Sequence, residues 1–326
     1  MIRATLERLP DLLRPYPHRA WEVFFMRALF AISVYLSLRI MLPDIFGINK
    51  KAAGLASFTE ANDPVGIGMI IDLTFLSNHT VGVVLHYIVI PALVLYALGV
   101  ILPVSTLIVF LIHCSIFTLN NSKGAIHHGY QILSIVLLAQ TCALWAPILL
   151  RKLPEKLRRY LPRHGPGLHQ RDLFVYYSQV AIAGAYVIAG LSKVLRSHVK
   201  WVIESPDVAV QIVKSHSQKY YEYLQPHWSD MGMTYANWIT AHPWLTRIML
   251  TGGLVLELFA FLLLINRAWA AFIGLSIIIM HVIIGKLMAL HFPQNIQGDF
   301  AMLVNAPFWI FAAAMLIGKR QKTPLR

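Results

Sequence analysis

Apolar residues in this chain gather into long unbroken runs instead of alternating with polar ones. Runs near twenty residues match the thickness of a bilayer crossed by a helix. They predict eight transmembrane helices, at about 22–42, 81–101, 104–119, 129–149, 173–195, 247–265, 268–290 and 300–317. Proline and polar pairs punctuate them: Leu42-Pro43 ends the first, Leu102-Pro103 turns the second into the third, and Asn266-Arg267 turns the sixth into the seventh. Between them lie polar segments at 43–80, 120–128, 150–172, 196–246 and 291–299. Residues 2–20 read as an interfacial amphipathic segment, with leucines on one side and Arg3, Arg8, Arg14 and Arg19 available to lipid phosphates. The expected fold is therefore all-α: a polytopic integral membrane helical bundle forming one domain over 1–326. Its parts are an interfacial segment 1–21, a bundle 22–317 and a basic tail 318–326.

Composition agrees with this and narrows it. The chain is 57% hydrophobic and 13% charged, too apolar for a soluble domain to cover its own surface. A net charge of +13 suggests nucleic acid at first sight. The basic residues cluster in particular loops, however, as topology signals do, so nucleic acid is not an expected partner. With eight crossings, sixteen lysines and arginines flank one side and eight the other. That bias predicts both termini in the cytoplasm, segment 196–246 outside, and a multi-pass protein of the cell membrane. Cys114 and Cys142 lie inside apolar runs without a CxxC spacing, so they read as core residues. No cleavable signal peptide is expected at the N-terminus.

Candidate chemistry begins in the fifth run. Gln179, Tyr186 and Lys193 stand seven residues apart and share one helical stripe. A lysine within a membrane segment costs at least a few kcal/mol. Either it snorkels to the headgroups from the end of its helix, or it has a task. A base that takes a proton from a weak acid must be neutral, which a partly desolvated lysine can be. His127 and His128 open the fourth helix, followed by Tyr130 and Gln131; His128 can donate to a developing oxyanion or simply bond water and headgroups. His281 reads as a site histidine or as one satisfied by a neighbouring helix. Glu257 needs a cation, for which Arg27 or Arg39 would serve in a structural ion pair. The expected topology puts His128, Lys193, His281 and His291 in one outer zone beneath an aromatic lid from 196–246. The spacings HxxxH, HxxHH and HExxH are absent, so no metal site is expected.

Three stretches carry a resemblance. AGLSKV followed by Trp201, NSKGAIHHGYQIL, and GLVLELFAFLLLINRAWAAFIGLSIIIMHVIIGKLMALHF together resemble segments of vitamin K-dependent gamma-carboxylase and the wider set of horizontally transferred transmembrane (HTTM) domains. They cover most of 110–300. The resemblance implies a catalytic lysine at Lys193 that deprotonates a reduced, vitamin K-like quinone, with His128 assisting. Gln179, Tyr186, Tyr130 and His281 would line the substrate pocket, the last by position only. It also implies lyase chemistry on a secreted peptide or protein partner, within membrane lipid. The large luminal region by which the carboxylase grips a propeptide has no counterpart in these 326 residues. In size the chain is more similar to the compact bacterial sporulation-delaying-protein maturation factor. The alternative expectation is thus a non-catalytic factor for maturation, export or immunity of a secreted peptide.

Overall fold

The computed structural model describes residues 13, 15–42, 64–122, 128–151, 169–197 and 200–321, without the side chains of 128 and 318–321. Most of the interfacial segment, the basic loop after residue 151, His127 and the end of the basic tail, 322–326, lie outside the described residues. Among those described, regular structure is helical throughout. Five long helices come first: α1 Ala20–Met41, α2 His79–Leu98, α3 Leu102–Asn121, α4 His128–Leu150 and α5 Gln170–Ser197. A two-helix hairpin follows, α6 Val208–Tyr223 and α7 His227–Ala241, then α8 Pro243–Leu258 and α9 Arg267–Leu287. The chain closes with α10 Pro293–Asp299 and α11 Ala306–Gln321.

The helix ends follow from local chemistry. Asn78 caps α2 by accepting from the Thr80 and Val81 amides, and Gly99 ends it in the left-handed region at φ 77°. Asn266 caps α9 in the same way, accepting from Ala268 and Trp269. Leu224, at φ 53°, and Pro226 separate α6 from α7.

Among the described residues six helices are long and apolar enough to cross a bilayer: α1 to α5 and α9. The protein is a multi-pass membrane protein. The other two expected crossings are broken. Helix α8 stops at Leu258 and continues as a 3-10 segment, Ala260–Leu264. The last crossing begins earlier than the apolar run implied. Segment 291–299, expected as an outer loop, folds largely into α10, which passes through a π turn at Phe300–Val304. Asn305 then takes a left-handed conformation, and the chain bends by 43° into α11. Counted as one span, that bent pair makes seven.

Side-chain contacts identify the two ends of the bundle. At one end the start of α5 meets the chain just before α1, where the His18 amide donates to Asp172 Oδ1 at 2.7 Å. At the same end the start of α9 meets α1 through Arg267 and Glu22 at 2.8 Å, and Asn305 donates to Glu22 at 3.2 Å. Trp21 packs on Phe311 of α11. The entry to α1 and the start of α11 therefore share one end. Between the ends, Phe30, Tyr96 and Phe174 form an aromatic chain joining α1, α2 and α5. The Tyr96 hydroxyl donates to Gln140, which donates to Ser178, so the buried polar groups of α2, α4 and α5 satisfy one another. Cys114 is half-buried, whereas Cys142, expected in the core, is exposed on the outside of the bundle.

Candidate functional site

Helix α5 places the stripe as its spacing requires, with Gln179 and Tyr186 buried and facing the bundle. Seven residues on a helix also mean about 10 Å of rise, so the stripe spans three levels. Lys193 is at the far end, away from the α1 entry. Its ammonium lies 2.5 Å from each carboxylate oxygen of Glu257, with side chains 32% and 8% exposed. It does not run out to the headgroups. The Trp201 ring covers it at 5.5 Å from the centroid, a cation–π arrangement. Ser197 builds that cover: its hydroxyl donates to the Lys193 carbonyl and accepts from the Trp201 amide. Glu257 is therefore paired, with Lys193 and not with an arginine of α1. Arg27 sits instead beside Gly99, at the other end.

A glycine makes the pair possible. A Cβ on Gly190 would come within 3.1 Å of Leu258 and 3.2 Å of the Glu257 Cβ, so its absence lets α8 close on α5 one turn below Lys193. Breaking a buried pair by removing one partner typically costs 3–5 kcal/mol, because the other charge is left uncompensated.

Beneath this pair lies a second polar group. The Tyr186 hydroxyl donates to Asp299 Oδ2 at 2.7 Å, and Asn295 Nδ2 reaches the same hydroxyl at 3.5 Å. The His281 ring lies 5.8 Å from Tyr186 and 5.1 Å from Phe292. His281 Nδ1 bonds the Ile277 carbonyl within its own helix, leaving Nε2 for the site. From Asp172 to Tyr186 and from Arg267 to His281 the chain advances fourteen residues each, about 21 Å. This equal depth explains why α5 and α9, which start together, bring those two side chains level. Helix α4 enters from the far end: Gly129 packs against Asn295 and Gln294, and Tyr130 bonds Gln294 and stacks on Phe117 at 4.1 Å. His128 opens that helix, but its side chain is outside the described ones.

Lys193, Tyr186, His281 and Tyr130 are thus brought to one end, from α5, α9 and α4. Gln179 is not. Its amide donates to the Met302 carbonyl and exchanges contacts with Tyr16, in a separate cluster at the α1 entry. There Arg267 bonds Glu22 and the Pro17 carbonyl, and Arg171 bonds the His18 carbonyl. Burial pushes the His18 imidazole down to about 4, and the Arg267 charge adds to this against Glu22 and Asp172. His18 Nδ1 lies 3.8 Å from Asp172 Oδ1, yet with a neutral ring that contact is no ion pair near neutral pH.

Asp299 and Asn295 of the far-end group escaped the sequence reading, as did Gln294 and Phe292. Asp299 stood in a segment read as loop, and its signal was an acid set against the apolar FAMLV run. Asn295 lies one turn earlier on the same helix and carried no signal of its own. No family model, curated protein or solved structure matches the chain.

Proposed function

We propose that the protein is a membrane-embedded enzyme, similar to the gamma-carboxylases, that removes a proton from a quinol-like lipid or a peptide at the far end of the bundle. Lys193 is the base and Glu257 the group that makes it one. The observation that carries the reading is that Lys193 turns inward onto a buried carboxylate beneath Trp201. Glu257 is the proton acceptor nearest the ammonium, with both carboxylate oxygens in contact with it. Glu257 can then take the Lys193 proton while the freed amine takes the substrate's. The sum is a proton moved from substrate to Glu257, an ammonium restored, and a substrate anion held beside that ammonium.

A reduced quinone would supply an acidic hydroxyl on a flat ring. The groups present suit both parts: Tyr186 and His281 offer neutral polar atoms, and Phe292 and the Tyr130–Phe117 stack offer aromatic faces. His128, at the start of α4, is proposed to assist. With segment 196–246 outside, the site opens toward the outer leaflet of the cell membrane.

One observation favours the alternative of a non-catalytic factor for a secreted peptide: the ammonium is already fully engaged by Glu257. Lys193→Arg separates the two. Arginine keeps the charge and the pair but does not release its proton near neutral pH. Consumption of a reduced naphthoquinone by dioxygen, catalysed by the protein in nanodiscs, should fall 10²–10⁴-fold in the arginine variant, the usual loss of a general base. An unchanged rate, at unchanged protein level, ends the base assignment and leaves the binding factor.

A further inference from the structure

The carboxyl of Asp299 has a partner on one side only. It is fully buried, its Oδ2 accepts from Tyr186, and its Oδ1 has no hydrogen-bond partner. The Oδ1 of Asn295, one turn earlier on the same helix, is buried without a partner as well. Among the described residues no lysine, arginine or histidine pairs with Asp299. Among the described residues Tyr186 of α5 touches it; His281 of α9 and Asn295 of α10 touch Tyr186, and Tyr130 of α4 bonds Gln294 of α10. Glu257 stands on α8 beyond Tyr186. The cation at this end is the Lys193 ammonium, which rests on Glu257, within electrostatic reach of His281, and does not pair with Asp299.

A carboxylate so placed is physically costly. Removing an ion from water costs several kcal/mol even after relaxation, and only a paired, hydrogen-bonded geometry repays it. Here one oxygen is bare and the second has a single neutral donor. A buried acceptor left bare also asks for a donor that the side chains do not supply. A proton on the carboxyl answers both: it removes the charge and turns an orphaned acceptor into a donor.

We propose that Asp299 is held as a neutral carboxylic acid and serves the site as its proton store, acting through Tyr186. Neutral, the Tyr186–Asp299 pair carries two protons, one shared across the contact and one in excess. Tyr186 can pass its proton to an alkoxide formed beside His281, on an atom other than the one Lys193 deprotonates, and take the Asp299 proton in its place; the alkoxide becomes the neutral alcohol. The pair is left as a carboxylate accepting from Tyr186, and a proton from water refills it once product leaves. Asp299 is in this sense a positioning residue, because Tyr186 stands between it and the site. Its purpose rests on the reading of the site as a proton-transfer centre; its protonation does not.

Infrared spectroscopy of the purified protein in micelles at neutral pH tests this without turnover. The wild type is compared with protein whose aspartates carry carbon-13 in the side-chain carboxyl. The expected result is a carbonyl band of a protonated carboxylic acid that moves on labelling and is lost in Asp299→Asn. In Tyr186→Phe the band should rise in frequency, because the carbonyl loses its donor. If Asp299→Asn does not accumulate, the label and Tyr186→Phe carry the test alone. A spectrum with no label-sensitive acid band overturns the proposal, as does a band that survives Asp299→Asn or ignores Tyr186→Phe. If Lys193 proves not to be the base while this band is present, only the enzyme reading fails.

Discussion

The cluster at the α1 entry contains a group whose titration should undock it. His18 is buried and neutral, with burial pushing its imidazole from 6.5 down to about 4. Above pH 6.5 the ring is neutral whether the segment is docked or free, and the pH has no effect. Below it the free segment binds a proton that the docked one refuses, so docking weakens as pH falls and the loss saturates near pH 4. Each pH unit is worth 1.36 kcal/mol, so the window between 6.5 and 4 removes about 3 kcal/mol. At pH 4.5 the loss is about 2.7 kcal/mol, a hundredfold rise in the undocked population. The His18 amide, which donates to Asp172, is the reporter. Its hydrogen exchange, corrected for the intrinsic effect of pH, should quicken about a hundredfold between pH 7 and 4.5, while core amides of α5 hold. His18→Phe keeps the ring packed against Tyr16 and removes the titration. A flat wild-type profile refutes the reasoning, and so does a hundredfold rise that persists in the phenylalanine variant.

Two further outcomes follow from packing and topology. A Cβ on Gly232 would lie 2.6 Å from the His216 Cβ, so Gly232→Ala should destabilise the α6–α7 hairpin by about 1–3 kcal/mol, whereas Gly252→Ala, with nothing within 4 Å, should be neutral or stabilising; thermal unfolding in micelles compares them. A cysteine placed at Ser217 should react with an impermeant thiol reagent on intact cells, and labelling only after lysis would move the far-end site to the cytoplasmic side.

Hydropathy made the unbroken helices legible because a bilayer imposes a length and a composition on each. It failed where the chain crosses with polar residues. The α10 sequence PQNIQGD holds no apolar run, so its crossing was placed after it, in residues that the left-handed Asn305 and then Pro307 in fact divide. The stripe of Gln179, Tyr186 and Lys193 was visible as a face, since periodicity reports direction. Depth is set by partners, and these came from the segment before α1, from α8 and from α10. Glu257 was seen to need a cation, but the choice between an arginine of α1 and Lys193 depends on which helices touch. Gly190, one turn before Lys193, was the available hint that another helix approaches there.

The six helices long enough to cross whole leave two interrupted segments, α8 with its 3-10 extension and α10 with its π turn, to supply Glu257 and Asp299. Their backbones change hydrogen-bond register within one or two residues of those carboxylates. A register change is where a helix can lengthen or shorten by part of a turn while its neighbours stay fixed. The architecture is therefore mechanically divided. Long struts hold a constant outline against the lipid, and Glu257 and Asp299 ride on segments whose helical register already changes. A substrate that draws Glu257 or Asp299 by an ångström need not deform the wall of the bundle. It has only to exchange one kind of helical turn for another.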